Sequence, residues 1–278
     1  QGSSLGAAPS RDQIDHLLGH YQAGRLEEAE AHATLLTQQF PKHPFGWKVL
    51  GALFNKTGRL SESLGPKQKA AEFLPQDAEA HYNLGNTLQE LSRFDEAEAS
   101  YRQVIALKPD YAEAHYNLGN TLQERGRLDE VETSYRKAVA LKPDFAEAHN
   151  NLGLILKKLR RFDESEASYK KAIALKLGYA EAHCNLGNTL QELGRLAEAE
   201  ASYNQAIALK PDFAEAHYNL GNTLKQLGSL DKAEGRYRQV IALQPDYAEA
   251  YNNLGITLHE LGRLDEDDTS YRQAIALQ

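Results

Sequence analysis

Asparagine is the residue whose type and spacing most suggest binding chemistry in this 278-residue sequence. It recurs every 34 residues in two registers that lie three positions apart. The first register contains Asn83, Asn117, Asn151, Asn185, Asn219 and Asn253, and the second contains Asn86, Asn120, Asn188 and Asn222. A carboxamide carries both donors and an acceptor, so a row of asparagines can hydrogen-bond an extended peptide backbone at successive places. The spacing therefore suggests a surface that recognises peptide backbone.

Five histidines recur with the same period and raise the question of a metal site. They are His81, His115, His149, His183 and His217. The ligands of one zinc ion must all lie within about 2.0–2.3 Å of it. Equivalent positions of stacked helices lie at least about 8–10 Å apart. We therefore expect no metal among these histidines and predict that each fills a packing position.

Other signals of catalysis are missing from the sequence. Cys184 is the single cysteine and has no base close to it in sequence, which favours a spectator thiol. Glycine-rich phosphate loops and the motifs HExxH and GxSxG do not occur. The sequence therefore predicts no enzymatic activity for this chain, no metal and no cofactor. A single cysteine also excludes an intrachain disulfide and fits a reducing compartment such as the cytoplasm.

The elements that position these residues follow from the period. The chain begins a new copy of one pattern every 34 residues from Ala78 to Ala248, and repeats of this length are typical of stacked-helix solenoids. Each copy contains two helical stretches. The first resembles AEAHYNLGNTLQE and ends near a glycine such as Gly126. The second resembles FDEAEASYRQVIALKP, with Asp95 in its first turn and Pro109 at its end.

Helical periodicity assigns the faces of the first stretch. We number each repeat from its first alanine, so that positions 4, 7, 8 and 11 fall within about 100° of one another and form the packing face. In the first regular repeat this face contains His81, Leu84, Gly85 and Leu88. Positions 2, 6, 9 and 13 point to the opposite side. Both asparagine registers, at positions 6 and 9, fall on that exposed face.

The pattern resembles the tetratricopeptide repeat (TPR) family. The family pattern has leucine at position 7, glycine at 8, a bulky residue at 11, alanine at 20 and 27, an aromatic at 24 and proline at 32. The second regular repeat matches it with Leu118, Gly119, Leu122, Tyr135, Ala138 and Pro143. The resemblance covers residues 10–278. It implies an all-α solenoid, a right-handed superhelix of about eight helix-turn-helix units with the first helices lining a concave groove.

The domain organisation follows from this alignment. Residues 1–9 are expected to be a cloning remnant or disordered tail, 10–43 a degenerate repeat, 44–77 a repeat interrupted by Gly65-Pro66, and 78–278 six regular repeats. Arg160 replaces a turn glycine, and Asp267 replaces an alanine at position 20, where burial would cost roughly a few kcal/mol. No polar capping helix covers the last repeat. We therefore expect a truncated and uncapped array that continues in the native protein.

The exposed face gives the functional hypothesis. The TPR arm of O-GlcNAc transferases carries an asparagine ladder at the corresponding position, and this sequence is similar to it there. The resemblance implies that all ten asparagines bind peptide in the groove. Each hydrogen bond contributes about 0.5–1.5 kcal/mol, while ordering each ligand residue costs about 1–2 kcal/mol, so binding would be weak and sequence-tolerant. The alternative is that the asparagines are structural, either bonding to the neighbouring repeat or inherited by duplication.

Several classes of function are disfavoured. A net charge of −8 argues against nucleic acid as a partner, and no apolar run of about 18 residues allows membrane insertion. A chaperone-carboxylate clamp needs basic residues at positions 2 and 6, which are glutamate and asparagine here. We predict a scaffold that binds an extended peptide or protein partner. The alternatives are a substrate-recognition arm of a larger enzyme (an O-GlcNAc-type glycosyltransferase or a sulfotransferase) and an architectural array that self-associates through uncapped ends.

Overall fold

The computed structural model describes residues 8–277, and this part of the chain contains sixteen α-helices and no β-strand. The helices are α1 (Arg11–Gln22), α2 (Leu26–Gln39), α3 (Pro44–Lys56), α4 (Leu60–Phe73), α5 (Ala78–Glu90), α6 (Phe94–Leu107), α7 (Ala112–Glu124), α8 (Leu128–Leu141), α9 (Ala146–Lys158), α10 (Phe162–Leu175), α11 (Ala180–Glu192), α12 (Leu196–Leu209), α13 (Ala214–Gln226), α14 (Leu230–Leu243), α15 (Ala248–Glu260) and α16 (Leu264–Ala276). Consecutive helices pack in pairs, from α1 with α2 to α15 with α16. The predicted all-α solenoid of eight helix-turn-helix repeats is confirmed. Residues 1–7 of the expected tail lie outside the described residues.

The helix pairs form two compact units, Gln1–Lys142 and Pro143–Gln278. Within each unit the second helix of one repeat packs against the first helix of the next, as α6 does against α7 and α10 against α11. First helices of adjacent repeats also touch, α5 with α7 in one unit and α11 with α13 in the other. Each unit therefore gathers its first helices on one side, where their side chains can act together.

The turn inside each repeat needs a residue in the left-handed region. Gly126 and Gly194 supply it with φ of 70° and 71°. Ser92 and Arg160 take the same place in their repeats with φ of 58° and 60°. A residue with a side chain costs about 1–2 kcal/mol in this conformation. The packing of the flanking helices therefore overrides local preference at these two turns.

The expectation that Gly65-Pro66 interrupts the second helix of its repeat is wrong. Helix α4 runs from Leu60 to Phe73 with Pro66 inside it. Proline removes one N–H and therefore one hydrogen bond of the helix. Pro66 is buried, and its Cβ lies 3.5 Å from the point where a Cβ of Gly51 would stand. Burial of the ring against α3 offsets the lost hydrogen bond, so the helix continues.

Asp267 is buried as its position predicts, but it is not unpartnered. Its side chain lies 2.9 Å from Nδ1 of His259 on the preceding helix and is 9% exposed. A buried carboxylate is tolerated when it is hydrogen-bonded. The histidine therefore compensates for the loss of the alanine that other repeats carry at position 20.

The closest packing in each regular repeat joins the glycine at position 8 to the tyrosine at position 24. A Cβ built on Gly85 would lie 2.8 Å from the Tyr101 ring, and one on Gly119 would lie 2.5 Å from the Tyr135 ring. The same approach recurs in all six regular repeats, at Gly85, Gly119, Gly153, Gly187, Gly221 and Gly255. Interiors packed at this density leave no room for an added methyl group. Glycine thus lets the tyrosine lie flat across the first helix.

The hydroxyl of that buried tyrosine reaches the first helix of its own repeat. Tyr237 donates to Oδ1 of Asn222 at 2.8 Å, and the contact recurs between Tyr101 and Asn86 at 2.8 Å. Burial raises the pKa of these tyrosines, so the hydroxyls stay protonated and donate. Two repeats carry an apolar residue at position 9 instead, Leu154 and Ile256, and in the first of them the buried hydroxyl of Tyr169 has no partner among the described residues. The position-9 asparagine is thus the acceptor for a core tyrosine.

A second recurring contact ties neighbouring repeats through their second helices. Arg127 at position 16 bonds to Glu98 at position 21 of the preceding repeat, at 2.8 Å, and also to Glu130 in its own repeat. The pattern recurs in Arg59–Glu30, Arg195–Glu166 and Arg263–Glu234. Burial alone would raise the pKa of Glu98, but hydrogen bonds from Arg102 and Arg127 outweigh it and lower that pKa. Ion pairs near the surface contribute about 0–1 kcal/mol each. These pairs therefore fix the alignment of neighbouring repeats more than they raise the free energy of unfolding.

Replacing Gly119 by alanine tests the close approach to Tyr135. Overpacking costs about 1–3 kcal/mol, which outweighs the helix-propensity gain of about 1 kcal/mol, so the urea midpoint should fall. Gly235 in α14 is the matched control, because nothing lies within 4 Å of an added Cβ there. Gly235→Ala should raise the midpoint. A rise for both variants would show that the glycine–tyrosine contact does not constrain the fold.

Removing single tyrosine hydroxyls tests the role of the position-9 acceptor. Tyr237→Phe removes a hydrogen bond and should lower the free energy of unfolding by about 0.5–1.5 kcal/mol. Tyr169→Phe removes a buried hydroxyl that has no partner and should leave stability unchanged or increase it. Urea unfolding of both variants measures the difference. Equal losses would contradict this account.

Candidate functional site

All ten asparagines lie on first helices, and each is half-buried. In the first unit they occupy α5 and α7. In the second unit they occupy α9, α11, α13 and α15. Half-burial is compatible both with contacts to neighbouring repeats and with access for a ligand, so the hydrogen bonds decide what each carboxamide can still do.

The asparagine at position 6 donates hydrogen bonds to the preceding repeat. Nδ2 of Asn117 donates to Oη of Tyr82 and to Oδ1 of Asn86, both at 3.0 Å. Asn253 repeats this arrangement with Tyr218 at 3.0 Å and Asn222 at 2.9 Å. The structural interpretation of the asparagines is therefore correct for their N–H groups. The hydrogen bonds fix the orientation of these carboxamides before any ligand arrives.

The sequence of the preceding repeat decides which bonds form. Asn219 donates to Asn188 at 2.9 Å, and position 5 of that repeat is Cys184, which offers a thiol in place of the tyrosine hydroxyl. Asn185 donates instead to Asn150 at 3.2 Å. The repeat before Asn83 has Ala52 at position 9, and the Asn83 carboxamide has no hydrogen-bond partner within residues 8–277. Asn83 is thus the asparagine of the first register whose side chain contributes least to the hydrogen bonds of the fold.

The two registers differ in what remains available. In the second register, Oδ1 of Asn86, Asn188 and Asn222 already accepts from both the core tyrosine and the next asparagine. In the first register, Oδ1 of Asn117, Asn219 and Asn253 accepts no hydrogen bond within the described part of the chain. The asparagine face was expected to offer both donors and acceptors to a ligand. It offers mainly Oδ1 acceptors, because the N–H groups already bond within the protein. The tyrosines at position 24 and glutamines at position 12, such as Gln89, also take part in these hydrogen bonds. The sequence did not reveal this role, although both residues recur every 34 positions.

A polar concavity lies on this face in the second unit. Its volume is about 550 Å³, and its lining includes Asn188, Asn219 and Gln191 together with Lys157 and Glu215. Both signs of charge border it. A ligand in this concavity would meet mostly amide groups, which favours recognition of peptide backbone over recognition of one charged group.

The first two repeats present an apolar surface instead. A concavity of about 350 Å³ is lined by Leu18, Tyr21, Phe45, Lys48, Val49 and Ala52. Leu18 and Ala52 stand at position 9, where four of the six regular repeats carry asparagine, and Val49 stands at position 6, where all six do. Lys48 is engaged by Asp77 at 3.0 Å. This pocket can take an apolar side chain, and sequence analysis missed it because the degenerate repeats were compared only with the packing motif.

The tyrosines at position 5 pack within the protein. The rings of Tyr82 and Tyr111 stack with centroids 4.9 Å apart, and Tyr218 meets Tyr247 edge-on at 5.1 Å. Cys184 at the same position is buried, and burial raises its pKa to about 12. A neutral, inaccessible thiol is a poor nucleophile. These residues line the network without offering reactive chemistry.

The histidines at position 4 hold the turn between repeats. Nε2 lies 3.0–3.2 Å from the carbonyl oxygen of the proline six residues earlier at His81, His115, His149 and His217. Leu177 replaces the proline ahead of His183 and is exposed, and His183 makes no such bond within residues 8–277. Burial lowers the pKa of His115 and His149, which favours the neutral form. Each of these four rings thus contacts the turn that joins its repeat to the preceding one.

Family models and solved structures identify the repeat. A TPR repeat model matches residues 88–126, 119–159, 188–228 and 221–262. Tetratricopeptide repeat models also match residues 68–99, 146–176 and 248–278. A search of curated proteins gave no match. No helix among residues 8–277 is long and apolar enough to cross a membrane.

The similar solved structures include MamA, YrrB and a chain of the APC/C hetero-tetramer Cut9-Hcn1. MamA is 26% identical, with 58% of this chain and 94% of that chain covered and a TM-score of 0.55. YrrB, described as a TPR protein with an unusual peptide-binding site, is 27% identical over 66% of this chain and 95% of that one, with a TM-score of 0.59. A chain of the APC/C hetero-tetramer Cut9-Hcn1 shares the fold at 17% identity, covering 90% of this chain and 49% of its own, with a TM-score of 0.64. Since one repeat model matches more than half of the residues, this chain belongs to the tetratricopeptide repeat family.

Proposed function

We propose that this protein is a non-catalytic interaction scaffold that binds an extended segment of a partner protein on the asparagine face that the first helices of a unit present. The observation that carries the proposal is the set of unused Oδ1 atoms at Asn117, Asn219 and Asn253, held in place by their own N–H groups. YrrB, a relative with a peptide-binding site, supports the same class of function.

The acceptors would receive backbone N–H groups of the ligand. Helices in contact lie about 8–10 Å apart, and an extended chain advances about 3.3–3.6 Å per residue. One asparagine would therefore meet about every third ligand residue. Each hydrogen bond contributes about 0.5–1.5 kcal/mol. Because the asparagines are already oriented, little further ordering of the protein is needed on binding.

Selectivity would come from a different part of the face. The apolar pocket between α1 and α3 accepts a hydrophobic side chain, and burial of such a group contributes about 1.5–3 kcal/mol. That single contact outweighs one backbone hydrogen bond. The preferred ligand is therefore an extended, sequence-tolerant segment that carries an apolar anchor residue.

Asn83→Ala separates ligand binding from stability. Its carboxamide makes no bond within residues 8–277, so the urea midpoint should rise slightly, because alanine is the better helix former by roughly half a kcal/mol. Affinity for peptides selected from an unbiased array should fall about two- to tenfold, the equivalent of one hydrogen bond. Asn204→Ala on the exposed face of α12 is the matched control, which should raise the midpoint by a similar amount and leave the affinity unchanged. No peptide binding by the parent, or affinity unchanged in Asn83→Ala, would contradict the proposal.

Ala52→Glu tests the anchor pocket. The new side chain would fill the pocket and place a charge in it, so affinity for the selected peptides should fall at least tenfold while circular dichroism is preserved. Leu177→Glu is the control, because Leu177 is 82% exposed and remote in sequence from the pocket. Fluorescence anisotropy with labelled peptides measures both variants. Equal affinity for the parent and Ala52→Glu would exclude this pocket as the anchor site.

A further inference from the structure

Three histidines that sequence analysis did not single out meet in the first repeat. His16 and His20 lie one turn apart on α1, and His32 lies on α2. One ring nitrogen from each lies within 4.8 Å of the others. The ring centroids of His16 and His32 are 5.0 Å apart. The signal in the sequence was the His-x3-His spacing, because residues four apart share one face of a helix.

The distances match those around a metal ion. Nε2 of His16 and Nε2 of His20 are 3.1 Å apart. Two imidazole nitrogens bound at about 2.0–2.1 Å to one tetrahedral zinc ion would be about 3.3 Å apart. The His32 nitrogen lies within 4.8 Å of the other two, so it needs to move closer by up to about 1.5 Å, which small side-chain rotations within one rotamer allow. The helix pair therefore already holds its ligands close to coordination geometry.

The surroundings of the cluster leave one ring nitrogen without a protein partner in the described part of the chain. Nδ1 of His20 is buried and has no hydrogen-bond partner within residues 8–277. An unpaired buried nitrogen costs free energy. An ion bound at Nε2 would leave this nitrogen unpaired, so the cluster lacks the second hydrogen bond that usually orients a histidine ligand.

We propose that His16, His20 and His32 form a binding site for a divalent transition-metal ion, with zinc as the ion best suited to three imidazoles and one open position. Such an ion would join α1 to α2 and stabilise the first repeat by mass action. Helix α1 also supplies Leu18 and Tyr21 to the apolar pocket, so the ion would fix one wall of that pocket. The metal site does not depend on peptide binding.

Isothermal titration of the untagged chain with Zn²⁺ tests the site. We expect one ion per chain with a Kd on the order of micromolar, because no protein acceptor orients His20 from behind and such support usually improves affinity 10–100-fold. His16→Gln and His32→Gln should each weaken binding more than tenfold. His16 is exposed, so its substitution should leave the apo melting temperature unchanged. His81→Gln, outside the cluster, is the control and should bind zinc as the parent does.

Two further readouts decide between a built site and a chance encounter. Zinc should raise the melting temperature of the parent and of His81→Gln but not that of His16→Gln. X-ray absorption of the zinc-loaded parent should show three imidazole nitrogens at about 2.0–2.1 Å. Absence of saturable binding below about 100 µM, parent-like binding by His16→Gln, or fewer than three imidazoles at the ion would each overturn the proposal.

Discussion

The contact between the position-8 glycine and the position-24 tyrosine is the constraint on which the regular repeats depend. Without a Cβ on Gly119, the Tyr135 ring lies flat across the first helix and is fully buried. The tyrosine hydroxyl then donates a hydrogen bond to the asparagine at position 9 of the first helix, as Tyr237 does to Asn222. That asparagine in turn accepts from the next repeat. One missing methyl group thus determines the packing within a repeat and the hydrogen bonds between repeats.

The same network explains why stability and binding are not separate properties of the asparagine face. Asparagine in the middle of a helix costs roughly half a kcal/mol relative to alanine. The inter-repeat bond, such as that from Asn117 to Asn86, offsets this cost and orients the carboxamide. What remains for a ligand is the opposite atom, Oδ1. Structural use and ligand binding are therefore compatible, because they employ different atoms of one side chain.

The first two repeats lack the glycine–tyrosine pair, although Gly51 still lies close to the residue at position 24 in the second of them. Position 24 is Ala33 in one and Lys67 in the other, and neither repeat has an asparagine at position 9. Lys67 is buried and reaches Thr87 of the next repeat, and burial lowers its pKa. With no tyrosine hydroxyl to satisfy, position 9 is free to be apolar, as in Leu18 and Ala52. The apolar pocket arises where the tyrosine–asparagine pair is absent.

The sequence by itself determined the period, the sixteen helices and the faces of each helix, because these follow from local periodicity and a 34-residue repeat. It also placed both asparagine registers on the first helices. Only the tertiary structure decided which atoms remain available, since Asn117 bonds to residues 31 and 35 positions away. The continuity of α4 through Pro66 and the meeting of His16, His20 and His32 were likewise decided by packing between helices. Local sequence patterns determine which side chains lie on each face of a helix. The distances between helices determine which atoms of those side chains remain available to a ligand.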